Sequence, residues 1–401
     1  MIDQAAIKGS SAKIAFALLI AATSADAFYK YTGLAGIAAY TAVCIIGVLL
    51  VGRPKFAAWI ERKLSERRAL VLAVVTLVIL IVVCLFVYPK ADAGQLGDRG
   101  SDADDALIIG AQALLRGAYP FYQTTYYGNP IAPMPGAIML AIPFAVKPLI
   151  ALQNVFWLGI LFLTTGRLIG SWKYALVLLA GLVFLCPAVM QNLLTATDRL
   201  SNTVYVLVAM WLLLRSKLNS NELSWASLGA AVLFGIGLSS RSNFFFLLPL
   251  LCSALVQTAG WARALKVIAV SAITFLMVTV PFWLYDSPGF TPFSTQAEKM
   301  AQFDSTLPHA SAVVAICGML LATLLATRKT DRDLANFFFN CGLVQLFAVL
   351  FLSAVSTVHS GRLDLYLGHV SYGVFAVVFF LLAGVLYLKR MAPPTAAPVQ
   401  P

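Results

Sequence analysis

Residues 101–149 read SDADDALIIGAQALLRGAYPFYQTTYYGNPIAPMPGAIMLAIPFAVKPL, and this stretch decides how the chain is organised. Three carboxylates, Asp102, Asp104 and Asp105, fall within four positions of a chain that has only 17 Asp and Glu in 401 residues. The run ALIIGAQALLRG that follows has the pattern of an amphipathic helix. A segment rich in Tyr, Pro and Gly then leads into the apolar run 131–147, which carries Pro133, Pro135 and Pro143 directly after Pro130. So much acid beside so much apolar sequence asks for a chemical or a capping explanation.

Outward from that stretch the chain is apolar: 60% hydrophobic and 11% charged, with a mean hydropathy of +0.86. A water-soluble fold could not hide this much apolar surface. Repeated apolar runs near the ~20 residues needed to cross a bilayer predict an all-α, polytopic transmembrane bundle. The weak period-2 alternation argues against a membrane β-barrel. The net charge of +11 does not indicate a nucleic-acid partner, because the basic residues gather at span ends, where positive-inside topology puts them. Cys44, Cys84, Cys186, Cys252, Cys317 and Cys341 all lie in apolar segments without metal-ligand spacing, and read as small core hydrophobes. The first apolar run lacks a small-residue cleavage site and reads as a retained span. Residues 1–388 are expected to form one membrane domain, and the proline-rich tail 389–401 to be disordered.

Charge sets the sidedness. Arg53–Arg68 carries six basic and two acidic residues and belongs on the cytoplasmic face. Spans are expected at 14–29 and 35–52 before it, and at 69–88 after it. Lys90–Pro130, with five acidic and three basic residues, then falls outside. If 131–147 crossed the bilayer, every later basic loop would be on the wrong side. If it is re-entrant on the outer side, spans at 150–168, 174–190, 201–214, 225–240, 243–258, 264–285, 310–327, 335–356 and 366–388 put all of them inside. The expected total is about 12 spans, with 89–149 as a large outer loop.

This layout gathers the unusual polar residues on the outer face: the three aspartates, Asp198 with Arg199, Arg241, His309, and His359 with Arg362. Each also has a plainer explanation. Ser101-x-x-Asp104 is a helix-capping pattern, and acids in a first turn suit the helix dipole. Asp198–Arg199 could be a local ion pair, and Arg241 an arginine snorkelling at the interface. The histidines fit ordinary surface positions. Tyr122, Tyr127 and their aromatic neighbours fit an interfacial belt as well as a surface for stacking sugars. No phosphate loop, dinucleotide fingerprint, zinc-binding histidine pair or nucleophile elbow is present.

The order of elements resembles the GT-C superfamily of membrane glycosyltransferases. Asp102–Asp105, ALIIGAQALLRG, AYPFY and GNPIAPMPGAIMLAIPF resemble the family's acidic first outer loop, its helix, its Gly-x-Pro-Tyr-like turn and its proline-rich re-entrant segment. CPAVMQNLLTATDRLSNTVYVL, with Asp198, and LFGIGLSSRSNFFFLLPLL, with Arg241, resemble later family elements. The likeness covers about 90–300. Two spans before the acidic loop, where one is usual, and three acids in place of a clean pair depart from the pattern. The resemblance implies transfer of a sugar from a polyprenyl-phosphate donor to a glycan or glycolipid acceptor outside the cytoplasmic (inner) membrane. In that role Asp102 or Asp105 is the base and Asp104 orients the acceptor or a cation. Arg241, with Arg199, holds the donor phosphate. Tyr122, Tyr127, Asn129, Asp198, His359 and Arg362 contact substrate. Clustered carboxylates either raise one pKa toward that of a useful base or bind a divalent cation such as Mg2+ or Mn2+, and the sequence leaves the cofactor open. The competing class is a transporter or lipid-linked-sugar flippase. Such carriers place ionisable groups near the midplane, often in repeated halves, and this sequence shows neither.

Overall fold

The computed structural model describes residues 9–95, 102–215, 224–327, 333–364 and 372–392. Among them the chain is all-helical, without strands. The helices are α1 (Ser10–Ala22), α2 (Ala25–Val51), α3 (Pro54–Lys63), α4 (Glu66–Asp92), α5 (Ala103–Leu115), α6 (Pro135–Ala141), α7 (Leu152–Ile169), α8 (Trp172–Leu185) and α9 (Pro187–Leu194). They continue as α10 (Arg199–Arg215), α11 (Trp225–Leu238), α12 (Leu248–Ala259), α13 (Trp261–Tyr285), α14 (Thr291–Ala301), α15 (Ala310–Ala326), α16 (Leu334–Ser360) and α17 (Val374–Arg390). The tail 393–401 lies outside the described residues.

Among the described residues, six helical stretches are long and apolar enough to cross a membrane: Thr32–Val51, Glu66–Asp92, Leu149–Ile169, Ser242–Ala259, Trp261–Tyr285 and Leu334–Ser360. Each coincides with an expected span. The other expected spans fall on shorter elements. α1, for example, has 13 residues, and at ~1.5 Å per residue it reaches about 20 Å, short of a ~30 Å hydrocarbon core. The expected straight span 174–190 is instead broken. Cys186 is extended (φ −123°, ψ 91°), as a residue before proline tends to be, and α9 restarts at Pro187, bent 80° from α8. The pair would make a seventh crossing if it acts as one span.

Polar contacts sort the helix ends into two poles. At one pole Lys173 pairs with Glu61 at 2.6 Å, Glu66 accepts hydrogen bonds from Ser171 Oγ and the Trp172 amide, and Arg390 pairs with Asp333. These are the linkers that charge counting put together on one face. At the other pole Lys147 pairs with Asp92, Tyr119 donates to the Phe282 carbonyl, and Thr291 donates to the Ile131 carbonyl. The segment 131–147 therefore begins and ends at the same pole. Between those ends it makes only the seven-residue α6 and a short 3-10 turn, Ile142–Phe144. Its prolines explain the brevity. Pro135 suits a first helical position, and Pro143 would remove a hydrogen bond from any longer helix.

The central helices are packed by large side chains with almost no exposure, among them Trp211, Tyr205, Phe234, Phe337, Phe338, Phe379 and Phe380. α17 is buried along nearly its whole length. The peripheral helices α4 and α13 instead expose rows of apolar side chains, including Val71, Val75, Ile79, Phe86, Leu276 and Leu284. Such rows are stable only against lipid or another apolar surface. None of the six cysteines is in a disulfide, and all are buried or half-buried, consistent with small hydrophobes.

Candidate functional site

The C-terminal end of α4 and the first turn of α5 bring four carboxylates together, and each of the three expected aspartates faces a different partner. Asp102 occupies the N-cap position of α5 but makes no side-chain cap. Its Oδ2 accepts from Asn129 Nδ2 at 2.6 Å and from Thr125 Oγ1 at 3.2 Å, which ties the Tyr-rich loop to the start of the helix. Ser101, the other half of the expected capping pattern, lies outside the described residues. Asp105 is buried and its Oδ1 lies 3.0 Å from Lys147 Nζ. Asp104 is fully buried. Its Oδ2 accepts from Tyr88 OH at 2.5 Å, while its Oδ1 is buried without a hydrogen-bond partner.

Lys147 is the hinge of this cluster. Its ammonium lies 2.9–3.0 Å from both oxygens of Asp92 and 3.0 Å from Asp105, and over the Tyr126 ring at 5.2 Å. Burial works against its charge, but the two carboxylates hold its pKa above the usual lysine range. Asp92, Asp104 and Asp105 each offer an oxygen within 4.8 Å of the others, so these are the residues that could hold a cation. Burial raises the Asp104 carboxyl to about 6, opposed by the Tyr88 hydrogen bond and reinforced by the neighbouring charges of Asp105 and Asp92. Asp105 is also raised, mainly by burial, with Lys147 pulling it back. Asp104, expected to orient the acceptor or a cation, is thus a fully buried carboxyl raised toward neutrality.

A second charged group sits where α9, α10 and α11 end or begin. Asp198, 1% exposed, accepts from Arg241 Nη2 at 2.5 Å and from Asn202 Nδ2 at 2.8 Å. Tyr205 OH donates to Asn202 Oδ1 at 2.8 Å, one turn further along α10. Arg199 stacks over Tyr372, 4.4 Å from the ring centre. Asp198 thus has Arg199 beside it in sequence and Arg241 against it in space.

α6 joins the two groups. Its Gly136 amide donates to the Ser239 carbonyl at 2.9 Å and to Ser239 Oγ at 3.1 Å, two residues before Arg241. Only glycine allows this approach, because a Cβ there would fall 2.3 Å from the Ile236 carbonyl oxygen. On its other side Ile138 packs against Gly110 of α5. α6 is therefore packed between α5, whose first turn carries the acidic cluster, and the turn that leads to Arg241.

The remaining expected residues lie further apart. Tyr122 donates to Asp286 Oδ2 at 2.8 Å at the end of α13, and Tyr127 is exposed. His359 shares a 2.7 Å hydrogen bond with Thr306 and meets the Phe303 ring edge-on, in a small corner formed by α14, α15 and α16. Arg362 is exposed beside that corner. Sequence reasoning did not single out Lys147, Tyr88, Asp92 or Asp286. A lone lysine at the end of a proline-rich apolar run was the available signal for Lys147. Tyr88 and Asp92 carried none, since aromatic and charged residues at a span end are ordinary.

No known family model matches this chain, and no curated protein matches it.

Proposed function

We propose that this protein is an integral-membrane glycosyltransferase of the GT-C type. It moves a sugar from a polyprenyl-phosphate donor to a cell-envelope glycan or glycolipid acceptor on the outer face of the cytoplasmic membrane. The reading keeps about 12 crossings, counting the shorter helices, with 131–147 re-entrant. One arrangement carries it: the same seven-residue helix, α6, packs against α5, whose first turn holds a buried carboxylate raised toward neutrality, and is hydrogen-bonded to Ser239, two residues before Arg241. In this reading Asp104 or Asp105 accepts the proton of the acceptor hydroxyl. The freed oxygen pair attacks the anomeric carbon, the bond from that carbon to the phosphate oxygen breaks, and the lipid phosphate leaves with the electron pair. Arg241, supported by Arg199, stabilises the charge on the departing phosphate. Asp198 holds the Arg241 guanidinium in place. Asp102 and Asn129 fix the loop over the site. If a divalent cation takes part, Asp92, Asp104 and Asp105 hold it.

The test is mass spectrometry of lipid-linked and envelope glycans from cells with the protein, without it, and with Asp104→Asn or Asp105→Asn. A glycan or glycolipid should lose one sugar when the protein is absent. At least one Asn variant should reproduce that loss at normal protein levels. Identical profiles with and without the protein would overturn the reading.

A further inference from the structure

At the start of α7, six residues after Lys147, the fold leaves a buried amide unsatisfied. Gln153 is 1% exposed, and neither its Oε1 nor its Nε2 has a hydrogen-bond partner. Trp157 follows four residues later on the same helix face, and its Nε1 is also buried and unbonded. The Trp157 ring lies against Tyr205, with centroids 5.3 Å apart. Tyr205 leads through Asn202 and Asp198 to Arg241, whose Nε is likewise buried without a partner. Leaving a buried polar group unpaired costs ~1–3 kcal/mol, so a fold that retains several close together needs a reason.

The chemistry of the unmet groups narrows what they take. A glutamine amide accepts at Oε1 and donates at Nε2, and an indole only donates. An anion would need donors alone, and a cation acceptors alone. A mixed set matches hydroxyl groups, which donate and accept at once. Arg241, at the far end of the same network, offers donors only and suits an anion. We propose that Gln153 and Trp157 form the subsite for the hydroxyls of the transferred sugar, with Arg241 on its phosphate. This rests on the glycosyltransferase reading and extends it by naming the residues that recognise the sugar rather than the lipid phosphate.

The experiment titrates the purified full-length protein in detergent with short-chain polyprenyl-phosphoryl hexoses carrying glucose, galactose or mannose. Bare polyprenyl phosphate of the same chain is the control. The readout is the 15N–1H signal of the Trp157 indole, assigned by its disappearance in Trp157→Phe. At least one sugar-bearing lipid should shift that signal, and the bare phosphate should leave it in place. Gln153→Met keeps the length of the side chain and removes both polar atoms. It should raise the half-saturating concentration of the sugar-bearing lipid about 10-fold to 100-fold, the loss of one or two hydrogen bonds. It should also melt no lower than wild type, because an unsatisfied amide has been removed. A glutamine held for structure predicts the reverse: a lower melting temperature and an unchanged titration. That result would overturn the subsite, as would an indole signal that moves equally with bare phosphate or with none of the lipids. An unmoved indole alongside a real glycan difference between cells with and without the protein sinks only the subsite. Absence of that glycan difference sinks the glycosyltransferase reading itself.

Discussion

Replacing Tyr88 with Phe tests whether Asp104 is the group that titrates in the site. The variant removes one hydroxyl, whose hydrogen bond to Asp104 Oδ2 is 2.5 Å long, and keeps the ring. That bond favours the charged carboxylate, which burial otherwise disfavours. A hydrogen bond to a charged group contributes ~1.5–3 kcal/mol, and one pKa unit corresponds to ~1.36 kcal/mol. The Asp104 carboxyl should therefore move from about 6 to roughly 7–8 in Tyr88→Phe. If Asp104 is the base, the rate of sugar transfer rises with pH through the pKa of the cluster to which it belongs. The alkaline-rising limb should shift by about 1–2 pH units in the variant, with the plateau rate at high pH largely retained. Stability gives a second readout. A carboxyl raised above its unfolded value of 3.8 adds stability that is complete below about pH 4 and is lost as pH rises through about 6. For Asp104 the whole effect is about 3 kcal/mol, and in Tyr88→Phe the loss should continue to roughly pH 7–8. The assays are a pH–rate profile with reconstituted protein and thermal melts from pH 4 to 8. A limb that stays in place, or moves to the acid side, would refute the reasoning.

Gly136→Ala puts a Cβ 2.3 Å from the Ile236 carbonyl oxygen, so the backbone must part there, at a cost of about 1–3 kcal/mol in thermal unfolding. Because this contact pins α6 to the arginine turn, the loss of transfer should exceed what that destabilisation explains; a variant as stable and as active as wild type would show the contact to be incidental. Arg241→Lys should weaken use of the lipid-phosphate donor while leaving protein levels unchanged, since lysine lacks the planar fork, and identical donor curves would move the phosphate role to Arg199. In cells, a cysteine at Lys147 should react with an impermeant reagent from outside and one at Lys55, exposed beside the opposite pole, only from inside; cytoplasmic labelling at 147 would overturn the re-entrant assignment.

Much of the fold was legible before any coordinates, because a bilayer imposes one-dimensional rules. Apolar run length marks a crossing, and basic residues mark its inner end. The six long apolar stretches and the pairing of the basic linkers at one pole follow from those two rules. The prolines of 130–143 marked this segment as unlike its neighbours, while the charge of the later loops was what argued for an outer turn; the structure breaks it into α6 and a short 3-10 turn. The break at Cys186–Pro187 was also written in the sequence, but as one proline near the end of an apolar run, which composition alone reads as continuous. The candidate site was legible only in its residue types. Asp102, Asp104 and Asp105 stand out by their scarcity, yet their different environments depend on what α4, the Tyr-rich loop and Lys147 bring against them from 16, 27 and 42 residues away in the chain. Sequence spacing put Asp102 and Asp105 on one face and passed over Asp104. Tertiary packing buried Asp104 against Tyr88 and raised its pKa. It set Arg241 against Asp198 and left Gln153 unsatisfied on α7. Run length and charge are summed along the chain and can be read from it. Desolvation and pairing are set by neighbours in space, and only the packed helices determine which neighbours meet.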